Sequence, residues 1–203
     1  SSDLVLEDLR DGLRYLKGHR RVRNATIQLI VLFSIFAALA VLAVSLAEKL
    51  PGMEAEEFGY LLAAAGVGMA IGAGIVGQAG HWLSNLQLSM VGSAGMAGAL
   101  IGLSVFREQL WWAVGLIAIL GIFGALVGVP MQTTIQAETA EEMRGKVFGL
   151  QNNAVNIALS LPLALAGIAE AHYGLPAVLL GLAGLALGAG VLTWYISSKS
   201  FSE

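Results

Sequence analysis

Five stretches of this chain contain no Asp, Glu, Lys or Arg: residues 25–47, 58–106, 109–137, 147–169 and 171–198. A water-soluble domain needs charge over its whole surface, roughly 25% of its residues. Here charged residues make up 12% of the chain, confined to short islands, and 57% of all residues are hydrophobic. Crossing the hydrocarbon core of a bilayer takes about 20 apolar residues in a helix. The interval 58–106 is long enough for two crossings and each of the others for one. The turn inside the long interval is marked by HWLSNLQ, where His81, Trp82, Ser84, Asn85 and Gln87 interrupt the apolar pattern. Six spans follow, at about 25–47, 58–80, 86–106, 110–136, 147–169 and 175–196. The runs are continuous rather than alternating, which excludes barrel strands, and in lipid only helices or closed barrels satisfy their backbone groups. The expected fold class is an all-α polytopic membrane protein, one six-helix bundle.

Orientation follows from the basic residues. With the N-terminus inside, the inner segments hold Arg10, Arg14, Lys17, Arg20, Arg21, Arg23, Arg144, Lys146 and Lys199, and the outer loops hold Lys49 and Arg107. This asymmetry predicts that both termini are cytoplasmic. Aromatic residues fall at the expected boundaries, Tyr60, Phe106, Trp111, Trp112 and Tyr173 outside and Trp82, Phe148, Trp194 and Tyr195 inside. The basic residues form a membrane-facing cluster rather than a groove, so nucleic acid is not an expected partner, and membrane lipid is. With no Cys, there is no disulfide or thiol chemistry.

Residues 1–24 form a cytoplasmic segment of a different kind. Val5, Leu9, Leu13 and Leu16 recur at helical spacing, Asp3, Glu7 and Asp8 lie at its start, and Lys17 to Arg23 lie at its end. Those charges complement a helix dipole. An amphipathic helix on the inner membrane surface is expected, with its basic end at anionic headgroups. Residues 197–203 form a short cytoplasmic tail.

Glycines four residues apart recur in the spans: Gly68/Gly72, Gly98/Gly102, Gly124/Gly128 and Gly184/Gly188. Such spacing lets helix backbones approach closely. Gly72, Gly74 and Gly77 also spell G-x-G-x-x-G, but no strand precedes the motif and no acidic residue follows at the required distance. It therefore does not indicate a nucleotide site. His19, His81 and His172 stand in separate segments without metal-binding spacing, and no predicted span carries a carboxylate. No catalytic site, metal or cofactor is implied, and an enzyme is not expected.

The most polar stretch between two spans is PMQTTIQAETAEEMRGKVFGLQNNAVNIALS, Pro130 to Ser160. Gln132, Thr133, Thr134 and Gln136 end the fourth span, and Glu138, Glu141, Glu142, Arg144 and Lys146 form a cytoplasmic island. Thr139 and Glu142 have capping-box spacing, which predicts a helix starting at Ala140. Along that helix Gly145, Gly149, Asn152, Asn153, Asn156 and Ser160 make one small, polar stripe. Polar side chains facing lipid are costly, so the stripe should face neighbouring helices or water. Both possibilities stay open from the residues alone.

VPMQTTIQAETAEEMRGKVFGLQNNAVN resembles the segment joining the fourth and fifth helices in the C-terminal half of major facilitator superfamily transporters, in the branch of enterobactin- and macrolide-type bacterial exporters. EDLRDGLRYLKGHRRVR resembles the central cytoplasmic loop of the same branch. The resemblance implies alternating access about a midplane site between two six-helix halves. This chain would supply the second half, with an N-terminal half, from the same polypeptide, as partner and a small amphipathic or lipophilic molecule as substrate. It also implies that the first, second, fourth and fifth helices face the cavity. Gln132, Gln136, Asn152, Asn156 and Ser160 are then candidate cavity residues. The family often carries an acidic and a basic residue in the loop after the second helix, but GQAGHWLSN has neither. Cytoplasmic gating contacts are expected instead from Glu141, Glu142, Arg144 and Lys146. The alternative is a non-transporting subunit that docks through its glycine-rich faces.

Overall fold

A computed structural model describes residues 2–80 and 82–198. His81, one marker of the expected second turn, and residues 199–203 of the expected tail lie outside it. The chain forms seven α-helices: α1 (Ser2–Gly18), α2 (Arg20–Lys49), α3 (Phe58–Ala79), α4 (Asn85–Phe106), α5 (Leu110–Glu138), α6 (Glu141–Tyr173) and α7 (Leu175–Ser198). A single 3-10 turn, Ala55–Glu57, leads into α3. Helices α2 to α7 are long and apolar enough to cross a membrane. This is an all-α polytopic membrane protein.

Several helices overrun the apolar stretches that define them. Helix α2 begins at Arg20 and α6 at Glu141, because intrahelical hydrogen bonding continues beyond the hydrocarbon core. The same overrun corrects one expectation. Glu170 is not in a loop but in the last turns of α6, where its carboxylate accepts a hydrogen bond from Ser45 Oγ of α2 at 2.8 Å. The interfacial aromatics Tyr60, Trp82, Trp111 and Tyr173 are strongly exposed at the helix ends, as amphipathic rings at a headgroup boundary are.

Helix α2 lies against α5, α6 and α7, while α3 packs chiefly on α5 and α6 chiefly on α2. Leu29, Ile35 and Leu42 of α2, Leu100 and Leu103 of α4, Leu120 of α5 and Leu179 of α7 form the core. In a bilayer such burial gives little hydrophobic driving force, because lipid is as apolar as leucine. Cohesion comes from close approach and from hydrogen bonds between helices.

Close approach is most developed between α3 and α5. A Cβ on Gly68 would run into the Ala118 carbonyl, one on Gly72 would lie 2.8 Å from Ala125 Cβ, and one on Gly121 would run into the Ala65 carbonyl. Gly128 meets Leu32 of α2, and Gly102 meets Leu116 of α5. A Cβ at Gly98, Gly184 or Gly188 would meet nothing within 4 Å, so Gly98 and the Gly184/Gly188 pair do not mediate packing among the described residues.

The hydrogen-bonded link is between α2 and α4. Ser89 Oγ donates to Gln28 Oε1, and Gln28 Nε2 donates to Ser93 Oγ at 3.4 Å. All three residues are buried. Ser89 and Ser93 thereby tie α4 to α2.

Candidate functional site

The expected capping box does not form. Thr139 Oγ donates back to the Ile135 carbonyl at the end of α5, which removes it as a cap for α6. The N-cap of α6 is Ala140, with no side-chain hydrogen bond, and the helix starts one residue later than expected. Capping boxes do occur at Ser84/Gln87 and Glu54/Glu57.

Tyr15 of α1 braces the α5–α6 connection. Its phenol donates to the Glu138 carbonyl at 3.4 Å and accepts from the Ala140 N–H at 3.2 Å. His19 stacks on the Tyr15 ring at 3.8 Å, and Arg21 pairs with Glu138 at 3.1 Å. Helix α1 thus lies on protein, against the α5–α6 connection. Its Gly12 fits against the Lys146 carbonyl and Leu150, and Leu16 is buried.

The four cytoplasmic candidates divide. Arg144 pairs with Glu141 at 3.6 Å along its own helix and donates through Nε to the Thr139 carbonyl at 3.3 Å. Glu142 is exposed. Lys146 reaches Asp11 of α1, with Nζ 2.6 Å from Oδ2. The hydrogen bond from Lys146, then its charge, holds the Asp11 carboxyl below the usual carboxylate range. A depressed carboxylate contributes stability above its unfolded pKa, about 3.9, and loses it as pH falls through the lower folded value. Docking of α1 on α6 should therefore be unchanged from about pH 5 to 8 and loosen only below about 4. Asp11→Asn should raise amide exchange in α1 at pH 7 and abolish that acid step, while Lys146→Met combined with it should add little. Full additivity of the two changes would show that the pair is not coupled.

The cavity candidates also divide. Gln132 of α5 is half-buried and accepts a 2.9 Å hydrogen bond from Nε2 of Gln151, which is 8% exposed. The amide oxygen of Gln151, Oε1, is buried without a partner. Gln151 was not among the sequence candidates, because it projects about 100° around the helix from Asn152, away from the stripe. Its signal was present, a glutamine in α6 facing another in α5 across a tight turn. Gln136 is exposed on α5. Asn152, Asn153, Asn156 and Ser160 are all exposed along one face of α6, and Ser160 Oγ returns a 2.9 Å bond to the Asn156 carbonyl. Among the described residues, no helix covers that face. Only 6% of the apolar window of α6 is buried and 22% of that of α3, against 56% in α4. The uncovered α6 face continues past Ser160 into Leu163 and Ala164, both exposed. Pro162 interrupts the α6 ladder near that transition, since proline lacks the N–H for an i−4 bond. On the opposite side of α6, an apolar cavity of about 530 Å³ lies between α2, α6 and α7, lined by Ala38, Pro162, Leu165 and Leu182 among others.

Residues 1–201 match the family described as transmembrane secretion effectors, within the major facilitator superfamily. The chain belongs to that family. Among curated relatives, the lysophospholipid transporter LplT of Klebsiella pneumoniae is 31% identical over 128 residues, 61% of this chain and 30% of that protein. The enterobactin exporter EntS of Escherichia coli O1:K1 is 30% identical over 147 residues, 71% of this chain and 34% of that protein. The match thus spans about a third of the length of each curated relative. Both are named as transporters, and six membrane helices agree with a facilitator-type bundle. No solved structure matches the chain significantly.

Proposed function

We propose that this chain is the C-terminal half of a secondary exporter of a small amphipathic or lipophilic compound. The observation that carries the reading is the uncovered face of α6. Its cytoplasmic part presents Asn152, Asn153, Asn156 and Ser160, and its outer part presents Leu163 and Ala164. Four polar side chains aimed at hydrocarbon would be costly, so a second bundle and an aqueous cavity are the fitting neighbours. A wall that turns from polar to apolar suits a solute with a polar head and an apolar body. Membership in a facilitator family supports the reading, as do relatives named for a lysophospholipid and for enterobactin. Gln132 and Gln151 would hold α5 and α6 in register behind the wall, while Lys146 and Asp11 would tie the cytoplasmic end. Glu141 and Arg144 would contribute contacts at the inner gate. Its curated relatives are bacterial, so the proposed location is a bacterial inner membrane, where the charge asymmetry favours both termini inside. An enzymatic role has no support in the family or its relatives.

The test is thiol accessibility in the full-length protein. A Cys at Asn152 or Asn156 should react with a water-soluble maleimide, and substrate should protect it, while a Cys at Leu187 of α7 should stay slow. An impermeant reagent applied to intact cells should label Cys at Lys49 and spare Cys at Glu142. Equal protection at Asn152, Asn156 and Leu187 would mean that the stripe packs dry against other helices and lines no cavity.

A further inference from the structure

We infer that the cytoplasmic ends of α2, α4, α5 and α7 form a binding site for the headgroup of an anionic glycerophospholipid from the inner leaflet. A cavity of about 380 Å³ opens there, away from the α6 face. Arg20, Arg21 and Asn24 of α2, Ser84 and Asn85 at the start of α4, Thr134 and Glu138 of α5 and Ile196 of α7 line it. Arg21 is neutralised by Glu138 at 3.1 Å, so the second guanidinium, Arg20, leaves the cavity with one net positive charge. The first N–H groups of α4 add a positive dipole end, and Ser84 caps that of Gln87. Asn85 Nδ2 is held by Thr134 Oγ1 at 3.0 Å.

The second, independent observation is Asn24. Its carboxamide lines the cavity at 6% exposure, and its Oδ1 has no hydrogen-bond partner. A buried amide left unpaired is destabilising, and in a native fold it calls for a partner. A carboxamide offers both a donor and an acceptor, so it can bind a phosphodiester oxygen and a headgroup hydroxyl. Phosphatidylglycerol carries both groups. The source is membrane lipid rather than a soluble phosphate, because the polar rim is continuous with the apolar walls of Ala25, Leu86, Met131 and Ile196. Trp194 and Tyr195, half-exposed on the last turns of α7, place this end at the headgroup level.

The test uses the full-length protein in detergent, with native mass spectrometry to count retained phosphatidylglycerol. Wild type should retain one lipid tightly. Arg20→Gln with Arg21→Gln should lower affinity about tenfold or more, as expected for two cations at an anionic surface. Asn24→Leu should lower it about fivefold, the loss of one hydrogen bond. In delipidated protein it should also leave thermal stability equal or higher, because there it removes an unpaired amide. Phosphatidylcholine, without a headgroup donor, should bind more weakly, and millimolar sn-glycerol 3-phosphate should not displace the lipid. Unchanged retention in Asn24→Leu would overturn the site and reduce the arginine effect to surface attraction. Full displacement by sn-glycerol 3-phosphate would overturn the assignment to lipid.

Discussion

Gly121→Leu is expected to prevent the bundle from assembling, while Gly115→Ala, six residues earlier on the same helix, should leave it intact or slightly more stable. The difference lies in what each side chain would meet. Around Gly121 the α3 backbone is the neighbour, with the Ala65 carbonyl in the way and the Met69 nitrogen 2.9 Å from a new Cβ. The clash is reciprocal, since Gly68 and Gly72 of α3 fit against Ala118, Ile122 and Ala125 of α5. A rigid carbonyl cannot step aside as a flexible side chain can, so relief requires separating the two helices. Overpacking ordinarily costs about 1–3 kcal/mol, and a backbone clash falls at or above the top of that range. Hydrophobic burial does not compensate in lipid, so lost close contact is lost cohesion. Gly115 has nothing within 4 Å, and alanine there gains roughly 0.5–1 kcal/mol of helix propensity. Fluorescence-detected size exclusion on heated samples checks both. A Gly121→Leu protein as monodisperse and heat-resistant as wild type would mean that α3 and α5 do not cross this closely.

That crossing shows what the sequence could and could not reveal. Charge-free intervals locate six spans because excluding charge from hydrocarbon is a coarse, one-dimensional rule, and the helices follow it to within a few residues at most ends. Which glycines do the packing is a different matter. Gly68/Gly72 and Gly184/Gly188 have the same spacing, yet only the first pair meets a helix, because spacing gives a face and not a neighbour. Polar groups behave likewise. The Asn152 to Ser160 stripe was legible from helical periodicity. Gln28 with Ser89 and Ser93, and Gln132 with Gln151, became visible only when separate helices were brought together. Thr139 illustrates competition between local rules: its spacing suited an N-cap, but the preceding helix took its hydroxyl first. Asn24 gave no signal at all. In sequence it is one polar residue beside four basic ones, and its unpaired oxygen is a property of the assembled end.

Residues 1–203 reconstituted alone into liposomes should show no gradient-driven flux of any substrate, whereas the full-length protein should transport. Alternating access requires a site reached from either side between two bodies, and α3 and α6 are the least covered spans of this one. Proton coupling also requires a group that titrates within the membrane, and carboxylates serve because burial and neighbours shift them toward neutrality. Among the described residues, Glu48 of α2 and Glu170 of α6 are the carboxylates in the outer turns of spanning helices, and Ser45 of α2 donates to Glu170. Both lie in those outer turns, far from Asn152 and Asn156, and so cannot serve a site on that stripe without a relay. A coupling carboxylate is therefore expected in the other half. Absence of flux is informative only if the fragment is folded, so its helicity should be measured in the same vesicles. In the fragment the α6 face meets lipid, so a Cys at Asn152 should react more slowly there with a water-soluble maleimide than in the full-length protein, where the second bundle encloses an aqueous cavity. Robust pH-gradient-driven flux from residues 1–203 by themselves would refute both the missing half and the missing carboxylate.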